Sequence, residues 1–175
     1  MAKQTTLRAS AEPRSPRLLR QRGRWSEGWW SPARRCPSPN EGPRPAGVDV
    51  DLAVVHSISL PPGVFGGPDI ERLFTNQLDP DAHPYFDGLR GLRVSAHFLI
   101  RRRGDLVQFV SCDRRAWHAG ASRWDGRDGC NDFSIGIELE GLEGLRFTAA
   151  QYRRLSGLLA MLCKRYQLRS VTGHE

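Results

Sequence analysis

Five histidines mark the chain, at positions 56, 83, 97, 118 and 174, and two of them stand in unusual company. His56 lies within Asp51-Leu-Ala-Val-Val-His-Ser-Ile-Ser-Leu60, a run otherwise dominated by aliphatic side chains. An imidazole buried in such a run must find a partner or lose about 1–3 kcal/mol. A hydrogen-bonded structural role is the common outcome for a strand histidine, and a metal ion is the other. His174 follows Val171-Thr172-Gly173, where the glycine lets backbone approach a site closely. Glu138 raises the same question from Phe133-Ser-Ile-Gly-Ile-Glu-Leu-Glu-Gly141. Strict alternation puts Phe133, Ile135, Ile137 and Leu139 on one face, and Ser134, Gly136, Glu138 and Glu140 on the other. The small Ser134 and Gly136 leave room above the sheet into which Glu138 projects. A carboxylate beside a metal-bound water is the usual general base of zinc hydrolases. Glu138 suits that role, with Glu140 one pleat further on as its rival. No His-Glu-x-x-His helix motif is present, so a zinc site here has to be assembled from distant segments.

The elements that must bring these residues together follow from pattern. Residues 51–60 and 133–141 read as strands, the first closed by Pro61 and Pro62. Gly67-Pro-Asp-Ile-Glu-Arg-Leu-Phe74 predicts a short helix with Pro68 near its first turn. Residues 79–91 predict a loop, and 93–111 two strands about an Arg-Gly-Asp turn, a hairpin. Residues 113–132 form a long polar segment of the kind that carries function. Thr148 and Gln151 make a capping box that opens a helix over 149–166. Its stripe of Tyr152, Leu155, Leu158, Leu159, Leu162 and Tyr166 is expected to be buried, both tyrosines included. Leu168 to Thr172 then offers a short last strand. The fold class is α/β, a central mixed β-sheet flanked by helices.

Charge and composition exclude several classes. The net charge of +7 resides in residues 1–46, with 10 Lys+Arg against 3 Asp+Glu, while residues 47–175 carry 16 of each. No aromatic interleaving or nucleic-acid motif accompanies the arginines, so the basic stretch reads as a solvated tail and no nucleic-acid partner is expected. Residues 1–25 form a disordered basic leader, and residues 26–175 the domain, its entry segment pinned by Trp25, Trp29 and Trp30. Cys36, Cys112, Cys130 and Cys163 are widely spaced and include no C-x-x-C, which suits a reducing cytosol. No run reaches the roughly 18 apolar residues of a membrane span, and no secretory signal is visible.

Six blocks, in order, carry a resemblance: residues 27–40 (EGWWSPARRCPSPN), 54–67 (VVHSISLPPGVFGG), 93–102 (RVSAHFLIRR), 115–120 (RAWHAG), 130–141 (CNDFSIGIELEG) and 172–175 (TGHE). Together they resemble the zinc-dependent N-acetylmuramoyl-L-alanine amidases, in particular the cytoplasmic bacterial enzymes of cell-wall recycling, over residues 26–175. The resemblance implies a fold shared with peptidoglycan recognition proteins and a Zn2+ cofactor. It implies hydrolysis of the amide between anhydro-N-acetylmuramic acid and L-alanine of a muropeptide, by a cytoplasmic monomer with no membrane partner. It makes His56 and His174 metal ligands and Glu138 the catalytic carboxylate. Arg93 becomes the partner of a peptide carboxylate, Trp117 a wall of the substrate site and Ser57 a polar contact; His83, His97 and His118 become supporting residues. The family's third ligand, an aspartate some ten residues after the second histidine, and a nearby lysine fall beyond Glu175. The chain is therefore expected to be incomplete at its C-terminal end. A non-catalytic muropeptide-binding module or an inactive fragment is the alternative. Ser57 stands where close relatives often carry asparagine and Gly129 where they tend to carry arginine, so two substrate contacts are expected to differ.

Overall fold

The longest strands are those the alternation picks out. In the computed structural model, which describes residues 23–173, six segments make the main sheet. They are β1 (Arg34–Arg35), β2 (Leu52–Ile58), β3 (Phe98–Ile100), β4 (Leu106–Gln108), β5 (Ser134–Glu140) and β6 (Ser170–Gly173). Most of the expected leader, and His174 with Glu175, lie outside the described residues. The order across the sheet is β6-β2-β5-β3-β4-β1. All pairs are parallel except the β3–β4 hairpin, so the sheet is mixed, as expected. β5 lies between β2 and β3, and all seven of its residues are buried.

Burial on both faces of β5 follows from what covers them. Ile135, Ile137 and Leu139 pack with Phe98 and Ile100 beneath Leu158 and Leu162 of helix α2 (Ala149–Tyr166). A second cluster sets Leu99, Val107 and Phe109 against Ile70, Leu73 and Phe74, which helix α1 (Asp69–Phe74) contributes. Phe133 departs from the predicted alternation. It ends a 3-10 turn over Cys130–Asp132 and packs with Leu52, Val54 and Ala119 instead of with Ile135.

Helix α2 begins and ends as its caps dictate. Thr148 Oγ1 accepts from Gln151 N at 3.1 Å, and Gln151 Oε1 accepts from Thr148 N at 3.0 Å. Gln167 closes the other end in the left-handed region, with φ 53°. Gln151 is fully buried, because its amide also donates to Glu140 O at 2.9 Å and Ile100 O at 3.2 Å, stitching helix to sheet. Tyr152 corrects the predicted stripe: it is 56 % exposed, at the rim of the helix's first turn against Phe147. Replacing Thr148 by Ala should lower stability by about 1 kcal/mol. Thermal unfolding should register that as a drop of about 2–4 °C.

Short elements escaped the sequence patterns. The expected loop around residue 85 contains a 3-10 helix, Pro84–Leu89, capped by His83, whose Nδ1 accepts from Tyr85 N at 3.1 Å. The long polar segment holds two-residue strands at Arg123–Trp124 and Arg127–Asp128 that pair with each other. Trp25–Ser26 pairs with Trp29–Trp30, and Trp30 is buried against the main core, so the tryptophans do anchor the entry segment. No helix among the described residues is long and apolar enough to cross a membrane.

Candidate active site

Register alone brings the two central candidates together. β2 and β5 run parallel with Glu138 opposite His56, and paired residues on neighbouring strands share a face. Glu138 is 8 % exposed, so the exposed-strand alternative fails. Its Oε2 is buried without a hydrogen-bond partner among the described residues. Burial in this setting pushes its carboxyl up to about 8, since desolvation penalises the charged form.

The space above Ser134 and Gly136 is filled by His118. A Cβ on residue 136 would lie 2.4 Å from His118 Cγ, so only glycine lets the ring rest on the strand. From there His118 Nδ1 stands 2.9 Å from His56 Nε2, and its Nε2 stands 3.0 Å from Ser134 Oγ. The two rings meet edge to face with centroids 5.1 Å apart. The sequence reading makes His118 a supporting residue but does not say which ligand it supports; the structure sets it against His56. The available signal was the lone glycine inside a strand, which marks a close approach by another group.

Behind His118 lies a polar scaffold that sequence reasoning also missed. Asn131 Oδ1 accepts from the backbone N–H of His118 and of Ala119 at 3.0 and 2.9 Å. Arg44 donates to the carbonyls of Asn131, Asp132 and Ser134 at 3.2, 2.7 and 2.9 Å, and to that of Cys112. Desolvation lowers its pKa from the ordinary value. Arg44 therefore departs from the solvated basic stretch assigned to residues 1–46. Arg34, bridged to Glu71, and Arg35, stacked over Trp29, also belong to the folded domain.

His97 is structural. It is fully buried; Gly136 N donates to its Nδ1 at 3.0 Å, and its Nε2 donates to Arg114 O at 3.1 Å. Burial and the nearby Arg44 cation hold its pKa down at about 3, so it stays neutral. Glu140 is also accounted for. Its oxygens accept from Arg101 Nη1 at 2.9 Å, Gly66 N at 2.6 Å and Arg102 N at 3.0 Å. A carboxylate so engaged is an anchor, which leaves Glu138 as the carboxylate on this face without such partners among the described residues.

The remaining candidates are spread out. Trp117 precedes His118 and is tied to Ser95 at both N and O, at 3.0 Å each. Arg93 is exposed and lines a cavity with Leu73, Asn76 and Phe86 beside the 3-10 helix. Ser57 follows His56 on its strand, and alternation turns it to the opposite face. Gly173, the last described residue, pairs with Val55, the neighbour of His56.

Imidazole nitrogen and carboxylate oxygen are the donor types zinc accepts. A buried carboxylate oxygen with no partner is the kind of group that a cation or its bound water would satisfy. His56 and Glu138 thus fit a zinc site, although no three His, Cys, Asp or Glu side chains form a metal-holding group among the described residues.

Comparison with known proteins identifies the family. The family model for N-acetylmuramoyl-L-alanine amidase, Amidase_2, matches residues 46–175. The 1,6-anhydro-N-acetylmuramyl-L-alanine amidase AmpD of Citrobacter freundii is 57 % identical over 150 residues, 85 % of this chain and 80 % of that protein. AmpD of Escherichia coli K12 is 54 % identical over 150 residues, 85 % of this chain and 82 % of its own. A crystal structure of a selenomethionine AmpD derivative aligns with TM-score 0.83 at 56 % identity, covering 85 % of this chain and 84 % of the other. Peptidoglycan recognition protein-LE shares the fold, with TM-score 0.56 at 18 % identity over 82 % of each chain. With the family model spanning both the His56 strand and the Glu138 strand, the chain belongs to the N-acetylmuramoyl-L-alanine amidase family.

Proposed function

We propose that the protein hydrolyses the amide between 1,6-anhydro-N-acetylmuramic acid and L-alanine of muropeptides in peptidoglycan recycling, with zinc as cofactor, in the cytoplasm. The substrate is the one named for the AmpD relatives. The carrying observation is the pairing of His56 with Glu138, whose Oε2 has no hydrogen-bond partner among the described residues.

In this reading His56 and His174 hold the metal. Zinc, when bound, lowers the pKa of a water toward about 7 and polarises the amide carbonyl. Glu138 takes the proton of the attacking water and returns it to the leaving L-alanine amine. Its apolar surroundings suit that task, because a carboxyl raised toward neutral pH is a stronger base for the water and, once protonated, holds the proton ready for the leaving amine. The sheet backbone at Glu138 is fixed by β2 on one side and β3 on the other, so the carboxylate needs little reorganisation. Arg93 offers a planar cation to a stem-peptide carboxylate and Trp117 a wall for sugar or peptide; Ser57, turned to the opposite strand face, is given no contact in this reading.

Incubating the zinc-supplemented protein with anhydro-muramyl-tripeptide and following free tripeptide by chromatography tests this. Tripeptide is expected to accumulate with multiple turnovers. No release at micromolar enzyme, with tripeptide substrate still bound in a calorimetric titration, would favour a muropeptide-binding module instead.

A further inference from the structure

His118 meets His56 through a chain of donors and acceptors in which each link fixes the next. Ser134 Oγ lies 2.5 Å from Cys130 O, which can only accept, so the hydroxyl proton points there. The hydroxyl oxygen is then the acceptor for His118, 3.0 Å away, and the His118 proton sits on Nε2. A neutral imidazole protonated at Nε2 carries its lone pair on Nδ1. That lone pair faces His56 Nε2 at 2.9 Å, so His56 donates from Nε2 and carries its own lone pair on Nδ1.

We propose that His118 is a positioning residue of the site: the Cys130–Ser134–His118 relay fixes the tautomer and ring orientation of His56, presenting the His56 Nδ1 electron pair to the metal. Its bearing on the metal rests on the zinc reading above; the tautomer assignment does not. Metal-ligating histidines characteristically donate their second ring nitrogen to such a partner, which sets the tautomer. The usual partner is a carboxylate or carbonyl. Here it is a second imidazole, whose tautomer must itself be held. Three features do that holding. Gly136 lets the ring lie on β5. Asn131 clamps the backbone at His118 and Ala119. Arg44, by gathering the carbonyls of Asn131, Asp132 and Ser134, fixes the segment that supplies both Asn131 and Ser134. The His97 ring, 5.9 Å away centroid to centroid, backs the other side of His118.

The test compares wild type, His118→Ala, His118→Gln and Ser134→Ala at one pH, after circular dichroism has shown each to be folded. Two readouts are taken: imidazole 15N shifts of the metal-free protein, and zinc affinity by competition with a chelator. Wild type should show His56 protonated at Nε2 alone. His118→Ala should show mixed tautomers and bind zinc about 10- to 100-fold more weakly. His118→Gln, whose amide can accept from His56 and donate to Ser134, should recover most of that affinity. Ser134→Ala, which leaves the His56 contact untouched, should blur the tautomers of both histidines. An unchanged His56 tautomer and unchanged affinity in His118→Ala would overturn the proposal, as would a His118→Gln no better than Ala. Wild type that takes up no zinc while showing the expected tautomers would sink the zinc reading and support the tautomer assignment.

Discussion

Glu138→Ala is expected to keep its zinc and lose about 100- to 10,000-fold in amide hydrolysis, the range for removing a general acid–base group. The size of the effect follows from the absence of a stand-in. Glu140, the nearest carboxylate on the same face, is committed to Arg101, Gly66 and Arg102. His97 is held neutral by burial and the nearby Arg44 cation, and both its ring nitrogens are engaged in hydrogen bonds. Zinc content by atomic absorption, set beside initial rates on anhydro-muramyl-tripeptide, separates the roles. Loss of zinc together with activity would make Glu138 a ligand.

The same residue has a counterpart effect on stability. In the metal-free protein the Glu138 carboxyl is raised from its ordinary value of 4.5 to about 8. Between those values the folded state binds more protons than the unfolded state, so Glu138 destabilises the fold progressively as pH rises through that window. Glu138→Gln carries no such charge. Chelator-treated Glu138→Gln should therefore unfold at a higher temperature than wild type at pH 9, and the difference should close toward pH 4.5. A difference independent of pH would show that the carboxyl titrates normally.

Glu140→Ala is expected to be the most destabilising single change outside the apolar core. The Glu140 side chain is 2 % exposed, and it joins Arg101, itself 14 % exposed and bridged to Glu71 of α1. Truncation removes the acceptor for the Gly66 and Arg102 amides and leaves a nearly buried guanidinium short of one partner. Breaking a buried pair from one side costs about 3–5 kcal/mol. At about 2–4 °C per kcal/mol for a domain of this size, the melting temperature should fall by about 6–20 °C. Calorimetric scans of the variant measure this directly. A shift below about 1 kcal/mol would mean that water replaces the carboxylate and that the network is not buried in solution.

Much of this was readable in the sequence wherever a long period had room to repeat. β5 and α2 declare themselves through seven-residue alternation and an eighteen-residue helical stripe with its capping box. His56 stood out because it breaks an aliphatic run, and Glu138 because the small Ser134 and Gly136 leave room on its face of the alternation. What could not be read was carried by contacts between segments. His118 becomes part of the site only because Gly136, eighteen positions later, leaves room for its ring. Arg44 lies in a Pro- and Arg-rich stretch with no periodicity, and its burial follows from carbonyls some ninety residues away. Two-residue strands and the turn at Pro84–Leu89 are too short for any pattern to register. Tyr152 matched the helical spacing but sits in the first turn and is exposed, against Phe147.

The sheet order gives the proposed site an uneven footing. His56 and Glu138 hang from two interior ladders, whereas β6, the strand that runs toward position 174, is the outermost and only half-covered. Amide exchange should be slowest along β5 and fastest along β6, because an edge can fray without the molecule unfolding. Warming should thus loosen the pocket on one flank long before the fold itself gives way.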